Sequence, residues 1–137
     1  MVHLHILDLP PPSVQPDFST EETAAMQRAV ITLFDKWGVT DTEAAILLGD
    51  ISTRTFARWK EGQYGRVGRD LAARLSNLLG IHKALRLLFS DASRAYAWVR
   101  KANIDFAERS ALEVMLNGNL TDLMRVRHYL DAQRAAW

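Results

Sequence analysis

Three times in this chain a serine or threonine is followed three residues later by glutamate: Ser19 and Glu22, Thr40 and Glu43, Ser110 and Glu113. In that pattern the hydroxyl accepts from a backbone N–H one turn ahead, and the carboxylate reaches back to the first N–H. Only a helix N-terminus leaves those donors open, so each pair marks the start of a helix. After the first, Met26, Val30, Leu33 and Trp37 recur at spacings of four, three and four until Gly38 stops the helix. The second opens a short helix through Leu48, ended by Gly49. Ser52 is expected to cap a third, running to Gly62. A fourth helix carries Leu71, Leu75, Leu78 and Leu79 and is expected to close at Gly80, with two more over Ile81–Phe89 and Asp91–Lys101. Residues 102–109 read as a loop. Ser110 then opens a helix ended by Gly118, and Thr121 opens the last. No stretch beyond the N-terminal arm alternates with period two, so the expected fold is all-α.

All four prolines fall at or before Pro16, which sets residues 1–18 apart as a Pro-rich, extended or disordered arm. The rest divides into an expected helix-turn-helix domain over 19–89 and a small helical domain over 90–137. With no cysteine in 137 residues, disulfides, thiolate zinc sites and cysteine nucleophiles are excluded, which suits a reducing cytoplasm. No apolar run is long enough for a bilayer, and the opening MVHLHILDLPPPSVQ lacks the pattern of a secretory signal.

The net charge of +1 conceals a strong asymmetry. Residues 1–50 hold two basic against eight acidic side chains, residues 51–90 hold eight against two, and residues 91–137 hold seven against six. The basic segment begins with LLGDISTRTFARWKEG. At about 100° per residue, Phe56 and Trp59 share one side of its helix, while Arg54, Ala57 and Arg58 share the other. A helix, a glycine-containing turn and a second helix with aromatic anchors inside and guanidinium groups outside have the layout of a helix-turn-helix. Ala45, four residues before Gly49, leaves room for the two helices to approach. Thr53, Arg54, Ala57 and Arg58 would form a slim, hydrogen-bonding face, and arginine forks onto a guanine edge or a phosphate. The pattern alone fits equally a packing unit whose arginines only solvate a surface helix. The local excess of positive charge, continued by Arg66, Arg69 and Arg74, favours a polyanion.

From residue 47 onward the sequence resembles the Xre/MbcA/ParS antitoxins, in which an Xre-like helix-turn-helix precedes a toxin-binding domain. The resemblance is carried by LLGDISTRTFARWKEG, RDLAARLSNLLGIHKALRLLF, AYAWVRKAN and RSALEVMLNGNLTDLMRVRHYLDAQRAAW. It departs from the family where Phe106, Ala107 and Glu108 replace the usual Phe-Gly-Gly, since glycine adopts a positive φ that alanine and glutamate resist. The resemblance implies an antitoxin that blocks a RES-type, NAD-degrading toxin or a related ADP-ribosyltransferase-like one. It also implies a homodimer within a larger complex that represses its own operon. DNA contacts are expected from Ser52, Thr53, Arg54, Arg58, Lys60, Arg66 and Arg69, and the acidic first helix is expected to face away from DNA.

On the last helix Leu123, Val126, Leu130 and Trp137 share a sector, with Arg127 and Arg134 at its edge. Read alone, the helix is better explained by arginines that snorkel, Arg127 pairing with Asp131 one turn on, and Trp137 folding back. The resemblance turns the reading toward an interface, where arginine and tryptophan serve as anchors. Toxin contacts are then expected from Arg109, Ser110, Arg127, Tyr129, Leu130, Arg134 and Trp137. His3, His5, His82 and His128 form no ligand set, and nothing positions Asp91, Asp105 and Glu108 as an acid–base pair. No metal, cofactor or enzymatic activity is expected. The alternative function is a plain helix-turn-helix repressor whose C-terminal helices only dimerise.

Overall fold

A computed structural model describes residues 18–136; residues 1–17 of the proline-rich arm, with His3 and His5, and Trp137 lie outside them. The described residues fold as α1 (Thr20–Trp37), α2 (Asp41–Leu47), α3 (Thr53–Lys60), α4 (Arg69–Leu88), α5 (Ala92–Ala97), β1 (Ala102–Asn103), β2 (Arg109–Ser110), α6 (Ala111–Met115) and α7 (Leu120–Ala135). The fold class is all-α, as the sequence indicates, apart from the two-residue ladder β1–β2. All three capping boxes form, at Ser19, Thr40 and Ser110, and the Ser52 hydroxyl accepts from Thr55 N–H at 3.0 Å.

Gly80 does not close a helix. The chain runs through it in one 20-residue helix, and the separate helix expected over Ile81–Phe89 is the second half of α4. A helical glycine costs only about 1 kcal/mol against alanine and is no stop where tertiary packing repays it. Packing is what Gly80 serves here. A β-carbon at this position would lie 2.5 Å from Arg127 Cζ, so the bare backbone is where the Arg127 guanidinium lies as α7 crosses α4. This crossing is the broadest helix–helix contact among the described residues. It buries Leu123, Val126 and Leu130 of α7 with Leu75, Leu78, Ile81 and Leu85 of α4.

The region expected to be one helix over Asp91–Lys101 tightens after α5 into a 3-10 turn over Trp98–Arg100. Residues 102–109 are more ordered than a plain loop. Ala102 pairs with Ser110 and Asn103 with Arg109, and the span between holds a second 3-10 turn, Ile104–Phe106. The last helix begins at Leu120 rather than Thr121, its start held by the Asp122 carboxylate accepting from Asn119 N–H at 3.0 Å.

The N-terminal helices pack on an aromatic cluster. Phe34 and Phe56 approach at 6.1 Å between ring centroids, Phe56 and Trp59 at 6.1 Å, and Phe34 and Trp37 at 6.2 Å, all four buried. Arg100 ties this unit to the C-terminal elements. Its Nε donates to Trp37 O at 2.7 Å and its Nη2 to Gly38 O at 2.6 Å, meeting carbonyls that the end of α1 leaves without helical partners. His82 stacks on Tyr96 at 5.7 Å, and burial, aided by the Arg86 charge, pushes its pKa below the ordinary histidine value.

Candidate functional site

Two surfaces concentrate side chains that the fold does not consume. The first is the outward face of α3. The helix starts at its Ser52 cap, is fastened inward by Phe56 and Trp59, and therefore turns Thr53, Arg54, Ala57 and Arg58 to solvent. Arg54 and Arg58 form no ion pair among the described residues, nor do Arg66 and Arg69 beyond the following turn. Two residues expected on this face are otherwise engaged. The Ser52 hydroxyl lies 2.9 Å from Thr55 Oγ1 as well as accepting from its N–H. Lys60 Nζ donates to Asp41 at 2.6 Å and lies 5.0 Å from the Phe56 ring centroid, so it clamps α3 onto α2.

Arg74 is not the phosphate contact that its charge suggests. It is 7% exposed, donates from Nε to Asp70 at 2.9 Å and from Nη1 to Leu47 O at 3.3 Å, and so braces the end of α2. The turn after α2 needs room beside it. Gly49 has φ +88°, and a β-carbon there would stand 2.9 Å from Arg74 Nε. Gly49→Ala is expected to destabilise the protein by about 2–3 kcal/mol, combining left-handed backbone strain with displacement of a buried, hydrogen-bonded arginine. Urea unfolding checks it; a loss below about 0.5 kcal/mol would show that the turn relaxes freely. Sequence reasoning missed Gln27, whose side chain is fully buried and donates to Tyr64 O at 3.0 Å. That bond pins the loop carrying Arg66. Its only sequence signal is a glutamine amid the apolar periodicity of α1.

The second surface surrounds β1–β2 and the start of the last helical pair. Phe106 is buried beneath an aromatic shelf. Its ring lies 4.9 Å from Tyr129, which stacks on Trp98 at 6.1 Å, and the Arg125 guanidinium sits 5.3 Å above Phe106. Tyr129 O–H donates to Asp105 at 2.8 Å, and partial burial raises its pKa. Beside the shelf a groove of about 290 Å³ opens between Phe89, Arg94, Trp98, Tyr129 and Gln133. Ala107 and Glu108 stand at φ +57° and +67°, so the two glycine-like positions are kept in left-handed backbone without glycine. Asn103 O accepts from Glu108 N–H at 2.9 Å and Ile104 O from Ala107 N–H at 3.1 Å, which fixes the turn. Non-glycine residues in this region cost about 1–2 kcal/mol each. Ala107→Gly is accordingly expected to stabilise the fold by about 0.5–1 kcal/mol, net of glycine's greater unfolded freedom, read as a rise in melting temperature. An unchanged or lower value would mean that the turn carries no strain.

Residues 19–80 match the family described as the antitoxin Xre-like helix-turn-helix domain, and residues 84–135 match the antitoxin Xre/MbcA/ParS C-terminal toxin-binding domain. The chain belongs to the Xre/MbcA/ParS antitoxin family. It is also similar to the uncharacterized protein y4oB of Sinorhizobium fredii (strain NBRC 101917 / NGR234). The two are 40% identical over 119 residues, covering 87% of this chain and 92% of that protein. The first surface thus falls within the antitoxin's helix-turn-helix match and the second within its toxin-binding match.

Within that toxin-binding region two expected contacts are corrected. Leu130 is 1% exposed and belongs to the α4–α7 core. Ser110 is 4% exposed, and its hydroxyl caps α6 by accepting from Glu113 N–H at 3.0 Å. The stripe of Leu123, Val126 and Leu130 is internal for the same reason. Arg127 is engaged over Gly80, and Tyr129 is engaged with Asp105 and Trp98. Arg109 is exposed and forms no ion pair among the described residues. Arg127 and Arg134 share one carboxylate, Asp131, at 4.0 and 3.7 Å. Neither is deeply buried, with side chains 37% and 42% exposed, and pairs this loose and wet contribute about 0–1 kcal/mol.

Among the described residues no helix is long and apolar enough to cross a membrane. Nor do three or more carboxylate or imidazole side chains gather where an ion would be held.

Proposed function

We propose that this protein is the antitoxin of a type II toxin–antitoxin system. In this reading its C-terminal half binds and blocks a RES-type NAD-degrading toxin, or a related ADP-ribosyltransferase-like one, with Arg134 and Trp137 at the tail occluding the nucleotide cleft. The helix-turn-helix binds operator DNA through Thr53, Arg54 and Arg58 of α3, with Arg66 and Arg69 on flanking phosphates, and the complex represses its own operon. The protein acts as a homodimer in the cytoplasm, and its chemistry is recognition rather than catalysis.

The observation that carries this reading is the separation of two cationic surfaces within one family-assigned chain. Arg54 and Arg58 project from the helix-turn-helix without internal carboxylate partners. Arg109 and Arg134 lie exposed in the region that matches a toxin-binding domain. Arg54, Arg58 and Arg109, without carboxylate partners among the described residues, and Arg134, held only loosely by Asp131, are suited to planar anionic partners, phosphate or carboxylate. A repressor whose C-terminal helices only dimerise has less support, because the apolar stripe it would use on α7 is already buried against α4. The test is co-expression with the protein encoded by the adjoining reading frame, scored for growth and co-purification. Growth arrest by that protein alone, relieved by this chain with a stable complex recovered, is the expected result. A harmless neighbour that fails to co-purify would remove the antitoxin reading.

A further inference from the structure

We infer that Ile104 is an apolar knob through which the C-terminal half seats on its toxin, in a socket with an apolar floor and an acidic rim. The inference rests on the antitoxin reading above and gives it a place and a chemistry. Ile104 is 79% exposed, the more exposed of two large apolar side chains standing open among the described residues. The other, Leu87 at 59%, stands on the regular surface of α4, whereas Ile104 sits in a turn held from every side. The β1–β2 ladder closes the base of that turn. Asn103 Oδ1 accepts from Asp105 N–H at 2.9 Å, the Asp105 carboxylate accepts from Tyr129 O–H, and Phe106 is sunk in the core two residues on.

A connector of this kind has no need of isoleucine at its open position, because Phe106 already anchors it. Nor does a connector need left-handed alanine and glutamate to hold its shape. What the arrangement does provide is an aliphatic side chain displayed on a backbone that loses little freedom on binding. The surrounding charge defines the complement. Lys101, Arg109 and Arg125 are exposed around the turn and form no ion pair among the described residues. Two exposed carboxylates stand among them, Asp105, which accepts from Tyr129 O–H and keeps its charge, and Glu108, so the cations outnumber the acids around the turn by one. A partner surface with an apolar floor receives the isoleucine, and carboxylates at its edge meet the three cations.

The experiment measures the affinity of the intact chain for the purified protein encoded by the adjoining reading frame, comparing wild type with Ile104→Ala and Ile104→Asp. Helicity and melting temperature are followed in parallel, and both variants should match wild type because the side chain touches solvent. Loss of a buried isoleucine contact is expected to weaken binding about ten-fold for alanine, and about a hundred-fold or more for aspartate facing an acidic rim. If wild type binds while Ile104→Asp binds within about two-fold of it, the knob is wrong and the antitoxin reading stands. If wild type itself does not bind, both fall together. Should Ile104→Asp lose helicity, Ile104→Ala decides: unchanged affinity overturns the knob and about ten-fold weakening supports it.

Discussion

Replacing Arg54 and Arg58 together by alanine is expected to weaken operator binding by at least about thirty-fold while leaving the fold intact. Each guanidinium that forks onto a guanine edge contributes about 1–3 kcal/mol of discrimination. The pair is therefore worth about 2–6 kcal/mol, between one and a half and four powers of ten in affinity. The fold should not notice, because both side chains are exposed, neither is tied to a carboxylate among the described residues, and alanine is at least as good a helix former. Anisotropy titrations on the upstream DNA at one fixed salt concentration check the outcome. Arg66→Ala serves as the contrast: a phosphate contact should weaken all sequences alike and lower the salt dependence by about one unit. Unaltered operator affinity in the double variant would strip α3 of its recognition role.

Deleting residues 134–137 is expected to abolish protection from the toxin completely, with no more than a small change in stability. The reason lies in where the core stops. Leu130 is the last buried side chain of α7, and the described residues beyond it are exposed or, at Gln133, half-buried. The deletion removes Arg134 from its loose pairing with Asp131, an exposed contact contributing about 0–1 kcal/mol. Arg127 keeps its place over Gly80, so the α4–α7 crossing survives. Growth on toxin induction reports protection, and thermal unfolding reports the fold. Full protection by the shortened chain, at normal expression, would refute the occlusion of the toxin's cleft by the tail.

How much of this was legible beforehand depended on the range of the interaction. Capping boxes were read correctly because their chemistry is complete within four residues. The burial of Phe56 and Trp59 beneath exposed Arg54 and Arg58 followed from helical phase alone. Gly80 looks like a stop in sequence because its reason, the guanidinium of Arg127, lies far along the chain. Arg74 looked like a free cation for a similar reason: the Asp70 pairing was visible in the i, i+4 spacing, but the Leu47 carbonyl that draws it inward was not. The family resemblance puts Leu130 and Ser110 at a partner's surface, and sequence cannot say which neighbour claims an apolar stripe or a cap. At Ala107 and Glu108 the sequence showed where strain would arise. Only the surrounding hydrogen bonds show that the turn endures it.

The unbroken course of α4 has one more implication. It packs on α1 along one side and on the tail helix along another, while Arg100 joins the end of α1 to the C-terminal elements. Cutting between residues 80 and 84, where the two family matches part, would split a rod and leave an unsheltered leucine flank on either stump. On the function proposed above, the surface meant for DNA and the surface meant for the toxin lean on this one helix, so neither can be cut away as a self-sufficient piece.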